Sequence, residues 1–427
     1  MADGTTTSHL YRPKLATTLS EGYDLRDLRS DAMAGLTVAI LALPLSMAIA
    51  VASGVSPDRG LYTAIIGGFL VSALGGSRYQ IGGPAGAFIV LVSATVAKFG
   101  IDGLILTVVL SGVMLTLVGA LRLGSLIRHI PHAVTVGFTA GIAVTIFASQ
   151  IKDLAGLKLA GAEPGAVLPK LAALGQAAPT ANLFALALGV AVAAVILGMR
   201  AWRPAWPGML VAVVAATLAA TFLHLPVETI GSRFGGIPHG LPAPHLPAVS
   251  WPLLAAVFPA ALSFTLLGGL ESLLSAKVAD SMTGRVHRSN MELVAQGLAN
   301  IGSAAFGGIS VTGTIARTAT NIRAGARSPV AGILHAAFIL AFMLVAAPLA
   351  SYIPLAALAG ILVVVAWNMA ERKEFASLLT NWRAGAVLLA TFGLTVLHDL
   401  MAGIIAGCGL ALLFWAASRV RRKFMRP

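Results

Sequence analysis

The sequence predicts an all-α polytopic membrane protein with 14 transmembrane segments in a 7+7 inverted repeat, and three observations carry that prediction. Hydrophobic residues fill 57% of the 427 positions against 11% charged, with mean hydropathy +0.88, a balance no soluble domain holds. Apolar windows long enough to cross a bilayer recur from Leu36 to Ala417. A proline-rich stretch divides these windows into two equal sets, and an odd number of spans per set forces opposite topology.

The N-terminus is polar and mixed in charge up to Asp31, with no cleavable signal, so residues 1–30 read as a cytoplasmic segment before an uncleaved first span. Spans follow near residues 33–52, 60–75, 85–98, 103–120, 133–150, 182–199 and 206–223, then 252–276, 292–306, 312–323, 329–349, 353–370, 384–397 and 400–418. The transmembrane domain therefore covers 31–418, and 419–427 is a basic cytoplasmic tail. Continuous apolar runs exclude an outer-membrane barrel, whose strands alternate. Two connections are long, Lys152 to Asn182 and His224 to Trp251. The second contains Ile237-Pro238-His239-Gly240-Leu241-Pro242-Ala243-Pro244-His245-Leu246-Pro247, whose fixed proline φ angles favour a stiff extended strap over a helix. Cys408, the single cysteine, rules out an internal disulfide.

A net charge of +13 raises the question of nucleic acid, and the position of the charges answers it. Only Arg59, Lys98, Lys152, Lys158, Lys170 and Arg233 fall on one side; Arg317 sits within a span, and the rest of the 29 Lys and Arg lie on the side of both termini. That bias places both termini in the cytoplasm of a multi-pass inner-membrane protein, with basic loops facing anionic lipid and no nucleic-acid partner.

Two interruptions of the apolar pattern stand out. Gly307-Gly308-Ile309-Ser310-Val311-Thr312-Gly313-Thr314-Ile315-Ala316-Arg317 and Gly82-Gly83-Pro84-Ala85-Gly86-Ala87-Phe88 lie in matching places of the two halves. A helix that starts inside the bilayer exposes unpaired N–H groups and a positive dipole end, which attract an anion where water is scarce. Paired interruptions of this kind point to a transporter site at the midplane, with the third and tenth segments facing each other.

These residues, with Ala42-Leu43-Pro44-Leu45-Ser46-Met47-Ala48, Gly54-Val55-Ser56-Pro57-Asp58-Arg59-Gly60-Leu61-Tyr62, Glu271-Ser272-Leu273-Leu274-Ser275, Ala279-Asp280 and Thr312 through Asn321, resemble the SulP sulfate-permease family of anion transporters over almost the whole chain. The resemblance implies a core domain (approximately 31–130 and 251–350), a gate domain (approximately 131–223 and 351–418) and commonly a homodimer. It also implies that Ser46 and Ile49 face the site, pure packing being the alternative. Family members usually carry a soluble C-terminal STAS domain; this sequence ends at Pro427, shortly after the last span, so that domain's roles are not carried over.

The substrate-binding set is Ser46, Ile49, Ala85, Gly86, Ala87, Gly313, Thr314, Ile315, Ala316 and Arg317, with Glu271 and Ser275 as the coupling pair. Glu271 is a lone carboxylate in Leu266-Leu267-Gly268-Gly269-Leu270-Glu271, costly against lipid, and it shares a helix face with Leu267 and Ser275. A protonated Glu271 does not repel an arriving anion, so proton and anion entry couple; the resemblance also allows a coupling sodium ion. The bland alternatives are an ion pair with Lys277 or Arg317, or an acid at the cytoplasmic end of a long helix. Arg317 either completes the anion cradle, snorkels toward Arg323, or pairs with Glu271. Thr312 caps the tenth segment or offers a hydroxyl to the anion, as Thr314 does. Pro44 marks a break in the first span or an ordinary kink. Ser263 and His335 read as satisfied packing groups.

The expected function is secondary active transport of a small inorganic or carboxylate anion (sulfate, bicarbonate or a dicarboxylate) by alternating access, as proton-coupled symport or anion exchange. The alternatives are a nucleobase carrier of the same fold, which would present acids in both the eighth and tenth spans, and a passive anion channel or a non-transporting scaffold. Scattered histidines without metal-ligand spacing, no phosphate loop and serines without a partner base leave no enzyme, metal or cofactor to propose.

Overall fold

The computed structural model describes residues 11–124, 131–161, 163–164, 166–203, 206–398 and 400–424. Residues 1–10 of the N-terminal segment, Arg128 and residues 425–427 of the basic tail lie outside the described residues.

Helix α1 (Lys14–Glu21) precedes α2 (Leu25–Ala52), which a capping box starts: the Asp24 side chain accepts from Arg26 N and Asp27 N. α2 runs through Pro44 without breaking. Proline removes one donor, and the flanking turns still close, so the expected break reduces to the loss of one helical hydrogen bond. The second span is α3 (Pro57–Tyr62), a π turn (Thr63–Gly67) and α4 (Gly68–Leu74). Extended chain then leads to β1 (Gly82–Gly83), a 3-10 turn (Gly86–Phe88) and α5 (Ile89–Ala120). The third and fourth expected spans meet inside α5 at Gly100, whose φ of 68° only glycine adopts without strain, so no loop is needed.

Next come α6 (His132–Leu154), α7 (Val167–Ala177), α8 (Leu183–Trp202), α9 (Gly208–Phe222) and α10 (Ile230–Phe234). Both long connections are thus partly helical. α7 is held to α6 through Lys170, whose ammonium meets Ser149 Oγ at 2.6 Å and Glu163 at 2.8 Å. α10 is fixed by Arg233, which pairs with Asp153 and Glu228 at 2.8 Å each. The proline strap itself is extended, as expected, and His245 N donates to Ala305 O.

The second half comprises α11 (Trp251–Thr283), α12 (Ser289–Ala305), β2 (Thr312–Gly313), α13 (Ile315–Arg323), α14 (Val330–Ala350), α15 (Leu355–Met369), α16 (Arg372–Leu379), α17 (Trp382–Leu397) and α18 (Leu400–Phe424). Seven helices among the described residues have the length and composition to cross a membrane, α2 and α5 among them.

Packing sorts the helices into two groups. α2, α4, α5, α11, α12, α13 and α14 pack on one another; α6, α8, α9, α15, α17 and α18 form the second group. The groups meet mainly where α15 and α9 lie on α2 and α6 lies on α5. Small residues set the spacing inside the first group, as where a Cβ on Gly112 of α5 would stand 2.6 Å from Gly297 O of α12. Inside this group β1 and β2 pair antiparallel, Gly82 with Gly313 and Gly83 with Thr312.

Candidate anion site

The strand pair brings together the two helix starts that the glycine interruptions create. β1 leads to the 3-10 turn at Gly86 and β2 to α13 at Ile315. The residues before them, Ala85 (φ −118°) and Thr314 (φ −107°), are both extended, and neither start has a side-chain cap. The first-turn amides of Gly86, Ala87, Ile315 and Ala316 are therefore free of side-chain acceptors, and two positive dipole ends converge on one place. Beyond the pairing, Thr314 N donates to Ile81 O at 3.1 Å and Ile81 N to Thr318 Oγ1 at 3.1 Å.

Arg317, one turn into α13, adds a full charge there. It is 3% exposed, and its Nη2 donates to Ser46 Oγ of α2 at 3.2 Å and to Pro84 O at 3.3 Å. Among the described residues its Nε and Nη1 have no hydrogen-bond partner and no acid forms an ion pair with it. Arg317 thus neither snorkels toward Arg323 nor pairs with Glu271. A buried guanidinium with two open donors, beside two uncapped helix starts, suits a small oxyanion.

A frame of hydroxyls and amides holds the crossing rigid. Ser272 of α11 meets Thr312 Oγ1 at 2.8 Å and accepts Gly313 N at 3.2 Å. Thr312 therefore caps nothing: its position in β2 puts its hydroxyl on α11, and Thr314 occupies the cap position with no capping bond, its hydroxyl donating to Ile81 O at 3.4 Å. Ser275 donates to Thr318 Oγ1 at 3.2 Å and is fully buried, tying α11 to α13. Glu271, one turn before Ser275 on α11, is half-buried. No ion pair joins it to Lys277 or Arg317 among the described residues.

The remaining expected residues fall as follows. Ala85 and Ala87 are buried and Gly86 is half-buried, its missing Cβ facing Ile146 of α6 and Val365 and Met369 of α15 at 3.5 to 3.9 Å. Gly313 is buried and Thr314 half-buried, while Ile315 and Ala316 are exposed and open one side of the crossing. Ser46 touches Arg317 directly; Ile49 is 2% exposed within the apolar core.

The sequence reading passed over one group and misread another. Glu292 of α12 is fully buried, and its carboxylate accepts from Gly76 N, Ser77 N, Gln80 Nε2 and Gln296 Nε2 at 2.9 to 3.0 Å. Glu271 is thus not the lone carboxylate of the bundle. An acid at the head of a predicted span was the available signal. His335 is the second. Ser263 is satisfied by Pro259 O, as expected, but neither ring nitrogen of His335 has a partner.

Comparison with known proteins follows the same lines. The sequence profile of the Sulfate permease family matches residues 28–391. The chain is 45% identical to the Bacillus subtilis "Putative sulfate transporter YvdB" over 95% of its length and 78% of that protein. It is 32% identical to the bicarbonate transporter BicA of Picosynechococcus, over 90% of its own length and 70% of that protein. The solved transmembrane domain of a cyanobacterium BicA superposes with a TM-score of 0.81 at 32% identity, covering 89% of this chain and 98% of that one. Murine Slc26a9 in its inward-facing state shares the fold, with a TM-score of 0.87 at 18% identity over 98% of this chain and 73% of that one. The chain is a membrane transporter and no enzyme: it belongs to the sulfate permease family.

Proposed function

We propose that this protein is a secondary active carrier that binds a small oxyanion at the β1–β2 crossing, between the uncapped starts at Gly86 and Ile315, with Arg317 as counter-charge. The observation that carries the reading is the Arg317 guanidinium, buried beside Pro84 and Ser46 with Nε and Nη1 open. Relatives named for sulfate and bicarbonate transport support an anion as cargo. Sulfate, bicarbonate and a dicarboxylate are the candidates. An arginine where a nucleobase carrier would hold a second acid argues against that alternative.

The first helix group acts as the core domain and the second as the gate. Ile146, Val365 and Met369 of the gate stand against Gly86, so apolar gate side chains close the cradle on that side. Movement of the core past the gate exposes the cradle to each side of the membrane in turn. Glu271 couples the cycle to a proton, with sodium as the alternative ion, and both termini face the cytoplasm of the inner membrane; the chain works as a homodimer.

The test is uptake of labelled sulfate, bicarbonate and fumarate into liposomes holding the purified protein, with an imposed pH gradient. One of the three should enter saturably, show counterflow and concentrate when the outside is acidic. Arg317→Gln should cut uptake at least about tenfold, the loss of a charge-assisted contact of ~1.5–3 kcal/mol. Flux that neither saturates nor shows counterflow means a channel. Full uptake in the Arg317 variant removes the anion from this site.

A further inference from the structure

His335 lies in α14 at the centre of the first helix group, 0% exposed, with Nδ1 and Nε2 both without a partner among the described residues. A neutral imidazole always carries one N–H donor and one bare acceptor, and leaving each unmatched in a dry interior costs on the order of 1–3 kcal/mol. A leucine would fill the space without that cost, so packing alone gives no reason for a histidine here.

Glycines set its surroundings. A Cβ on Gly68 of α4 would stand 3.8 Å from His335 Cε1 and 3.0 Å from Gly82 O of β1. One turn along each helix, a Cβ on Gly332 would stand 2.0 Å from Ser72 Oγ and 3.1 Å from Ile81 Cδ1. Ser72 is 2% exposed, and its hydroxyl also lacks a partner. α4 and α14 thus run antiparallel behind β1 with an imidazole and a hydroxyl in the contact. Successive strand residues face opposite ways: Gly82 turns toward Val71 of α4, and Gly83 toward Arg317. His335, behind Gly68 and the Gly82 carbonyl, and Arg317, against Gly83, therefore stand on opposite faces of one short strand.

The other charges around His335 are already satisfied. Asp31 of α2, one turn before Gly35 where α2 touches the α14 backbone, accepts from Tyr23, Ser328 and the amides of Arg327 and Ser328. Glu292 of α12 is held by four donors. α4 and β1 bring no charged group to this contact. Arg317 is the charge whose compensation changes when an anion binds.

We infer that His335 is a proton-binding residue of the transport cycle, taking one proton from water on its bare ring nitrogen when an anion occupies the crossing and returning it when the anion leaves. This rests on the anion lying beside Arg317. An uncompensated guanidinium opposes an imidazolium; an anion at the guanidinium cancels that opposition, so anion and proton each favour the other's binding.

Calorimetric titration of the purified protein with sulfate, in buffers of differing ionisation heat, counts protons taken up per anion. His335→Gln should take up about one proton fewer than its parent, in both the native and the Glu271→Gln backgrounds, and its sulfate affinity should depend less on pH than the parent's. Unchanged proton uptake with intact sulfate binding overturns the inference and leaves the anion site standing. Unchanged sulfate binding in Arg317→Gln overturns both. Should the His335 variant fail to fold, NMR of the 15N-histidine-labelled parent replaces it: one buried ring must pass from neutral to imidazolium signals on adding sulfate, and a spectrum in which none does overturns the inference.

Discussion

Gly83 and the Arg317 guanidinium contend for the same space: a Cβ on Gly83 would stand 2.0 Å from Nη1 of Arg317. The glycine is there because the charge must cross β1 to reach Pro84 O and Ser46 Oγ. Gly83→Ala should therefore expel the guanidinium while leaving the bundle folded. Anion uptake should drop at least about tenfold, ~1.4 kcal/mol, with little change in unfolding temperature. Normal uptake in that variant would mean that the position of Arg317 is not required.

Glu292 predicts a stability effect in place of a transport effect. Its carboxylate holds the Gly76–Gln80 turn that feeds β1, and a Cβ on Gly313 would strike Gln80 Nε2 at 1.8 Å, so the turn and the crossing fit as one piece. Glu292→Ala takes the acceptor from two buried backbone amides and two glutamine side chains and should cost about 2–5 kcal/mol. Glu292→Gln keeps an acceptor and should cost less. Thermal unfolding in detergent ranks the three proteins; an alanine variant as stable as the parent contradicts this account.

Glu271 should separate binding from coupling. Glu271→Gln mimics the protonated acid, so anion exchange persists while accumulation driven by a pH gradient is lost. Retained accumulation with the parent's pH dependence would make Glu271 a structural acid.

Relative movement of the two helix groups is tested by cysteine pairs across the α2–α15 contact, in a background where Cys408 is replaced. Complete crosslinking should stop uptake and reduction should restore it. Undiminished uptake with the link closed excludes alternating access by this motion.

Docking of α1 should depend on acid. Arg78 hydrogen-bonds Glu21 and holds its carboxyl below the usual carboxylate range. A depressed folded value means the contact stabilises above the unfolded value and is lost as pH falls through the folded one. A spin label at exposed Leu19 should therefore gain mobility on acidification, and Glu21→Gln should be mobile at every pH. Glu21 is solvent-exposed, so the effect is small.

Much of this architecture was legible in order along the chain. Apolar runs placed the spans, because bilayer thickness sets their length whatever they pack against. The Gly82-Gly83-Pro84 and Thr312-Gly313-Thr314 interruptions marked both helix starts, since backbone that stops being helical among apolar residues leaves a local trace in glycine and proline. Side-chain partners left no such trace. Arg317 was equally consistent with snorkelling, an ion pair or a cradle, because a long flexible side chain can reach any of them from the same helix position. Thr312 read as a cap but binds α11, and His335 read as satisfied but is not. Sequence alone determined the solvent this chain folds in and where the two glycine-marked helix starts lie. Tertiary structure decided which buried polar groups have partners, because hydrogen bonding at 3 Å depends on residues hundreds of positions apart.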